Sequence, residues 1–149
     1  MNWNSDKSIT LSRICVALFA LLLAALDVGA YWLSGFFVRL RDMGGETVFL
    51  LMASLYLCSV FGWIVLWKLW RLLGNIECGG VFTGENVAIL RAVSWCCAAV
   101  AVICLVSAAY YLPFALVAAS SAFMALIVRI VKNVFQQALL MKDELDFTV

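Results

Sequence analysis

The sequence predicts an all-α protein: a four-helix transmembrane bundle whose fourth helix extends into the cytoplasm and ends in a short C-terminal tail. Two observations support this fold. Hydrophobic residues make up 66% of the 149 residues and charged residues 13%, with a mean hydropathy of +1.07, whereas soluble domains have roughly 45–50% and 25%. Long uncharged stretches also separate the charged residues, as in chains that cross a bilayer. We therefore expect one membrane domain over residues 1–149.

Three stretches with at most one charge delimit the membrane spans. Their bounding residues are Arg13 and Arg39, Glu46 and Lys68, and Arg91 and Arg129. A helix needs about 20 residues to cross about 30 Å of hydrocarbon, so the first two stretches hold one span each and the third holds two. The third is divided at Tyr110-Tyr111-Leu112-Pro113, because aromatic residues suit an interface and proline suits a first helical turn. The predicted spans are 14–37, 47–69, 88–111 and 114–133, with a cytoplasmic loop at 70–87 and a cytoplasmic helix and tail at 134–149.

Basic residues collect on one side of the predicted spans. The side of the termini receives Lys7, Arg13, Lys68, Arg71, Arg91, Arg129, Lys132 and Lys142, and the other side only Arg39 and Arg41. Basic residues near span ends favour the cytoplasm, so we expect a multi-pass protein of the cytoplasmic membrane with both termini inside. The basic start and the apolar run after it also resemble a signal peptide. Asp27, beside the candidate cleavage site, predicts that the first span is retained.

Composition also argues against several classes of function. A net charge of +1 supplies no basic surface, so direct nucleic-acid binding is not expected. The chain has no histidine and its six cysteines show no Cys-x-x-Cys spacing, so no metal site or other cofactor is expected. No pattern of nucleophile and base is present, and we predict that the protein is not an enzyme. Five cysteines lie in apolar runs and are expected to pack as small hydrophobic side chains, whereas Cys78 lies outside them.

Asp27 is the only ionisable residue well inside a predicted span. A carboxylate there costs about 3 kcal/mol unless it is neutralised, paired or hydrated, so such residues are candidates for function. One interpretation is a proton or cation relay, which usually needs a second intramembrane charge. The other is a protonated Asp27 that locks helix packing near the outer leaflet, with Tyr31 one turn away as its hydrogen-bond partner. The lack of a second charge favours the latter.

Tryptophans recur at helical spacing at the inner end of the second span, namely Trp63, Trp67 and Trp70. Lys68 and Arg71 lie beside them. The pattern is typical of an interfacial anchor, in which the rings lie at headgroup level and the basic side chains extend to water. An aromatic cage for a cationic ligand is the alternative.

Small residues line one face of the fourth span: Ala115, Ala118, Ala119, Ala122 and Ala125. Small side chains allow helix backbones to approach closely in a membrane. The stripe therefore predicts packing within the bundle or, alternatively, a homo-oligomer interface.

Two segments predicted to face the cytoplasm carry the most specific patterns. In Gly79-Gly80-Val81-Phe82-Thr83-Gly84-Glu85-Asn86, Thr83 is expected to cap the third helix and Glu85 to occupy its first turn. After the fourth span, helical spacing is kept by Ile130, Val134, Phe135, Ala138 and Met141. The helix is therefore expected to leave the membrane. It ends in an acidic stretch and a short strand-like tail at 142–149.

These two segments resemble a bacterial membrane family catalogued as domain of unknown function 2975. The resemblance is carried by Val81-Phe82-Thr83-Gly84-Glu85-Asn86 with Leu90-Arg91, and by Asn133-Val134-Phe135-Gln136-Gln137-Ala138 with Asp143-Glu144-Leu145-Asp146-Phe147-Thr148-Val149. The tail departs from the usual family pattern at Leu145 and Phe147, where a polar residue and a leucine are common. The family has no established activity, so the resemblance implies the four-span architecture in a bacterial inner membrane. Members are often encoded beside a small helix-turn-helix regulator, which implies a partner of that kind.

The leading hypothesis is therefore a membrane anchor or sensor that binds a cytoplasmic partner such as a small helix-turn-helix regulator. The expected partner-binding residues are Phe82, Thr83, Glu85, Asn86, Arg91, Phe135, Asp143, Glu144, Asp146, Phe147 and Thr148. A structural interpretation is that the two segments bind each other, with residues 81–82 and 147–149 paired as short strands. The alternative function is a small transporter, pore or immunity-type membrane protein that uses Asp27.

Overall fold

The computed structural model describes residues 3–41 and 45–148, and the side chains of these ranges except those of residues 3–6, 31, 33–34, 37–41 and 45. The four helices are α1, Trp3–Arg41; α2, Gly45–Glu77; α3, Gly84–Ser107; and α4, Phe114–Phe147. All four are long and apolar enough to cross a membrane, and the described ranges contain no strand. The predicted all-α bundle of four membrane-spanning helices is confirmed.

The connection between α2 and α3 has residues suited to ending one helix and starting the next. α2 ends shortly before Gly79, whose φ of 83° lies in the left-handed region that glycine adopts without strain. The N–H of Gly80 donates to the Asn75 carbonyl at 3.0 Å, which satisfies an acceptor at the helix end. The Thr83 hydroxyl accepts from the Asn86 N–H at 3.3 Å. The predicted N-cap of the third helix is confirmed.

α2 continues past the predicted end of the second span. It reaches Glu77, so residues 70–77 of the predicted 70–87 loop are helical and the connection shortens to residues 78–83. Arg13 of α1 supports this last part of α2. Its guanidinium forms an ion pair with Glu77 at 2.7 Å and lies 5.4 Å from the centre of the Trp70 ring.

The C-terminal segment is helical rather than strand-like. α4 continues through the acidic residues to Phe147, whose side chain is 91% exposed. The expected strand pairing between residues 81–82 and the tail is therefore wrong for residues 147 and 148, and Val149 lies outside the described residues. The helix-favouring Leu, Met, Lys and Glu side chains within residues 139–145 outweigh the strand propensity of the last residues.

Close backbone contacts join only helices that are consecutive in the chain, within the described ranges: α1 with α2, α2 with α3, and α3 with α4. The α1–α2 pair is tight, because a Cβ atom at Gly62 would lie 3.1 Å from Leu23 Cδ2. We call the end of the bundle that holds Arg13, the 78–83 loop and Phe135 the terminal end, since α1 starts and α4 finishes there. The α1 and α4 helices occupy the outer positions.

The buried core is small and centres on α3. Val87, Ile89, Leu90 and Val93 are buried in its first half. Large apolar side chains elsewhere are exposed, including that of Trp32 on α1. A surface of this kind suits a protein that lipid covers, because lipid tails are as apolar as the side chains they contact.

The alanine stripe on α4 is divided by the packing of α3. Ala118 and Ala125 are buried, whereas Ala119 and Ala122 are exposed. Ser94 of α3 donates to the Ala125 carbonyl at 3.1 Å, which shows how closely the two backbones approach. One edge of the stripe thus packs within the bundle, and the other edge remains free.

Candidate functional site

The side chain of Asn86 holds the 78–83 loop in place. Its Nδ2 donates to the carbonyls of Gly80 at 2.7 Å and Val81 at 2.8 Å, and its Oδ1 accepts from Asn75 Nδ2 at 2.9 Å. Asn86 is 0% exposed. A buried amide with both donors and its acceptor satisfied is a strong constraint on the backbone around it. The loop is therefore an ordered element of the terminal end.

An ion pair fixes the start of α3 against α2. Arg71 Nη2 lies 2.7 Å from Glu85 Oε1. Both side chains are about half exposed, so solvent screens the pair and its contribution to stability is small. The pair does orient the first turn of α3, where a negative charge is also favourable to the helix dipole.

Phe82 connects the loop to α4. Its ring centroid lies 5.4 Å from that of Phe135, with the planes tilted by 53°, a separation typical of attractive aromatic pairs. Phe82 nevertheless keeps 41% of its surface exposed. The loop thus presents an apolar ring beside the point where α4 leaves the bundle.

The part of α4 from residue 134 to residue 147, here called the α4 extension, protrudes from the terminal end. Every side chain from Leu140 to Thr148 is exposed. Three apolar side chains, Val134, Met141 and Leu145, are exposed and share one face of the helix. Exposed carboxylates follow at Asp143, Glu144 and Asp146. The extension is an amphipathic helix with an acidic end.

A second polar site lies inside the bundle, where Asp27 of α1 meets α2. Asp27 Oδ2 accepts hydrogen bonds from Ser59 Oγ at 2.7 Å and Trp63 Nε1 at 3.0 Å. The Tyr56 hydroxyl donates to the Asp27 carbonyl at 3.2 Å. Asp27 Oδ1 is buried and has no hydrogen-bond partner among the described residues. One carboxylate oxygen is thus held by two donors and the other is open to a ligand or a proton.

Asp27 lies beside the middle of α2. Its partner Ser59 is near the middle of the apolar stretch between Glu46 and Lys68. The expectation that Asp27 lies near the outer leaflet stays a prediction. The side chain of Tyr31, the expected hydrogen-bond partner, lies outside the described residues.

Comparison with protein families gives one match. A family model described as "Protein of unknown function (DUF2975)" matches residues 29–149, most of the chain. The chain belongs to the DUF2975 family. The match covers both the 78–83 loop and the α4 extension and begins just after Asp27. A comparison with curated proteins and with solved structures found no match.

The expected partner-binding residues of this DUF2975 protein fall into four places. Phe82 and Phe135 contact each other at the root of the α4 extension. The side chains of Thr83, Glu85 and Asn86 bond within the chain, and Arg91 is exposed on α3. The remaining five follow Phe135 by about 12–20 Å along the helix: they are Asp143, Glu144, Asp146, Phe147 and Thr148. Asn86 is buried and does not present its side chain to a partner, whereas the other expected residues lie in the loop, on α3, and on the α4 extension or directly after it.

The DUF2975 tryptophans divide between two roles. Trp67 lies 5.3 Å from Lys68 Nζ and Trp70 5.4 Å from Arg13, as suits rings near an interface. Trp63, expected in the same anchor, donates to Asp27. The three tryptophans therefore lie on one helix face but in different environments: Trp63 bonds to a carboxylate, and the other two lie beside cations.

Sequence reasoning missed two polar residues of this DUF2975 protein, Ser59 and Asn75. Ser59 lies one turn from Trp63 on α2, a spacing that puts both on the face toward Asp27. Asn75 lies in the part of α2 that was expected to be loop. Polar residues recurring on one face of a hydrophobic helix are the signal that could have identified Ser59.

Proposed function

We propose that this multi-pass membrane protein is a bacterial inner-membrane anchor or sensor that binds a small, basic cytoplasmic protein through the α4 extension and Phe82. The cytoplasmic orientation is supported by the excess of lysine and arginine on the terminal side. The observation that carries the proposal is the exposed apolar face of the α4 extension. This part of α4 is not needed to cross the bilayer.

The length of α4 supports a protruding helix. It has 34 residues, and about 20 suffice to cross the hydrocarbon. The remaining turns extend about 20 Å further at a rise of 1.5 Å per residue. Arg129 and Lys132 mark the level of the headgroups, so the α4 extension stands in water.

An apolar face in water favours a protein partner. Val134, Met141 and Leu145 are exposed on one side of the extension. An amphipathic helix buries such a face in a hydrophobic groove of another protein. Phe82, at the root of the extension, adds an aromatic ring to the same surface.

The acidic end of the extension favours a basic partner. Asp143, Glu144 and Asp146 are exposed, with Lys142 as the lone cation beside them. Charge complementarity directs encounter between proteins, and DNA-binding proteins carry a basic surface. A small helix-turn-helix regulator, the partner that the family resemblance implies, has this chemistry.

The experiment compares recruitment by variants that differ only on one face of the extension. Tagged, full-length protein is solubilised from its native host, and co-purifying proteins are identified by mass spectrometry. We expect wild type to recover a small basic DNA-binding protein and the Met141→Ser/Leu145→Ser variant to recover at least ten-fold less. Gln136→Ser, an exposed change on the opposite face, is the matched control and should recover as much as wild type.

Equal recovery by wild type and the double variant would contradict the proposed docking face. If neither wild type nor the Gln136→Ser control recovers a basic protein in repeated purifications, the anchor proposal fails. Membrane insertion of each variant is checked by its amount in the membrane fraction.

A second candidate function, a small transporter, pore or immunity-type protein, is favoured by the open oxygen of Asp27. Its Oδ1 is buried without a partner while Oδ2 is held by Ser59 and Trp63. An intramembrane carboxyl in this state suits a transient proton or cation. If the candidate is right, Asp27→Asn should lower proton or cation flux into proteoliposomes at least ten-fold.

Asp146→Asn, which removes an exposed carboxylate instead, is the control for that flux measurement. Flux that exceeds protein-free liposomes for wild type and Asp146→Asn, but not for Asp27→Asn, would support the candidate. Unchanged flux in Asp27→Asn would remove it.

A further inference from the structure

A groove between α3 and α4 is lined by residues that lie outside the α4 extension. It has a volume of about 490 Å³, within the range of small-molecule sites in proteins. At the terminal end it is lined by Arg91, Arg129 and Lys132, and further along the spans by small residues such as Ala98 and Ala122. We call it the α3–α4 groove.

Within the described ranges, the three cations of the groove have no carboxylate as an ion-pair partner. Arg13 and Arg71 form ion pairs with carboxylates, whereas no ion pair joins Arg91, Arg129 or Lys132 to any carboxylate in the described ranges. Like charges gathered around one cavity repel each other unless an anion lies among them. The groove is therefore electrostatically suited to an anionic group.

The rest of the groove is suited to hydrocarbon. Alanine side chains at 98, 101, 122 and 125 leave space that larger residues would fill. Trp95, one turn into α3 from Arg91, is 70% exposed and lines the same groove. The lining changes from charged to apolar along the helices.

The change in lining coincides with the expected boundary of the bilayer. Arg91 and Arg129 bound the uncharged stretch of the last two spans, so their side chains lie at headgroup level and the alanines at the level of acyl chains. A soluble anion would use only the charged part. A membrane lipid with an anionic headgroup would use both parts.

We propose that the α3–α4 groove binds an anionic phospholipid, with its phosphate among Arg91, Arg129 and Lys132 and an acyl chain along the alanine-lined part. Basic pockets between transmembrane helices on the cytoplasmic side bind acidic headgroups in this way. The site includes Arg91, one of the residues expected to bind the partner, but it lies apart from the α4 extension, which begins beyond Lys132.

The test uses the full-length protein reconstituted in nanodiscs with equal amounts of phosphatidylglycerol and phosphatidylcholine. Lipids retained after transfer to detergent are counted by native mass spectrometry. Wild type is expected to retain phosphatidylglycerol at least ten-fold over phosphatidylcholine. Arg129→Gln/Lys132→Gln should reduce this retention about thirty-fold and Arg91→Gln, from the other helix, about five-fold.

Lys142→Gln is the matched control, because Lys142 is an exposed lysine of α4 outside the groove, and it should retain lipid as wild type does. Ala122→Phe fills the apolar part and leaves all three cations in place. It is expected to lose the lipid, and millimolar inorganic phosphate is expected not to displace lipid from wild type. Unchanged thermal unfolding midpoints show that each variant is folded.

Four results would overturn the proposal. Equal retention of the two lipids by wild type would show a surface without headgroup selectivity. If the Arg129→Gln/Lys132→Gln and Arg91→Gln variants retain as much phosphatidylglycerol as wild type, the cations do not hold the lipid. Displacement by phosphate, or full retention by Ala122→Phe, would show that the apolar part holds no acyl chain.

Discussion

Asn86→Ala is expected to lower the free energy of unfolding by about 3 kcal/mol. The substitution removes three hydrogen bonds and leaves the Gly80 and Val81 carbonyls and the Asn75 amide without their partner. A buried polar group without a partner costs about 1–3 kcal/mol. Hydration of the loosened loop offsets part of the total cost of the three groups. Unfolding of the detergent-solubilised protein, followed by circular dichroism against added denaturant, measures the change.

Asn133→Ala is the matched control for that measurement. Asn133 is an exposed asparagine on α4, and exposed substitutions usually have little effect on stability. The two variants should therefore separate clearly in denaturation midpoint. Coincident midpoints would show that the Asn86 amide does not hold the 78–83 loop.

Ala118→Leu is expected to lower the free energy of unfolding by about 2 kcal/mol, because extra methylenes in a packed interface force backbones apart. Ala118 is 4% exposed, on the face of α4 that packs against α3. Helices in a membrane depend on such close approach, since no hydrophobic driving force acts between them. Denaturation in the same detergent provides the measurement.

Ala119→Leu makes the same chemical change one residue along the helix, where the side chain is exposed. This variant should have the same denaturation midpoint as wild type, since its added methylenes contact lipid or detergent. Equal destabilisation by both substitutions would mean that the loss reflects leucine itself rather than the α3–α4 packing.

The spans are predictable from the sequence because charge in hydrocarbon is costly, so charged residues bound each membrane crossing. The Thr83 cap is predictable for a different reason, since a capping hydroxyl acts within one turn of its own helix. Both inferences rely on local chemistry. Residues 70–87 were expected to be loop, whereas α2 continues to Glu77, which pairs with Arg13 of another helix, a contact that local spacing does not encode.

Sites between helices were harder to predict. Ser59 and Trp63 reach the Asp27 carboxylate from α2, and neither was expected beside it. The register of two helices is set by packing such as that of Leu23 on Gly62, which local spacing does not encode. Asn86 was expected among the partner-binding residues because it lies in the loop motif that resembles the family. Its side chain is buried instead, and its amide bonds to Asn75, a residue that was expected in a loop and lies in α2.

Contacts confined to consecutive helices also bear on how the protein is made. A chain emerges from the ribosome N-terminus first, and α2 meets the already inserted α1, α3 meets α2, and α4 meets α3. Each of α2, α3 and α4 can therefore pack against a preceding helix as soon as it is synthesised. Contacts of short sequence separation also favour rapid folding. Insertion and packing can therefore proceed together, in the order of translation.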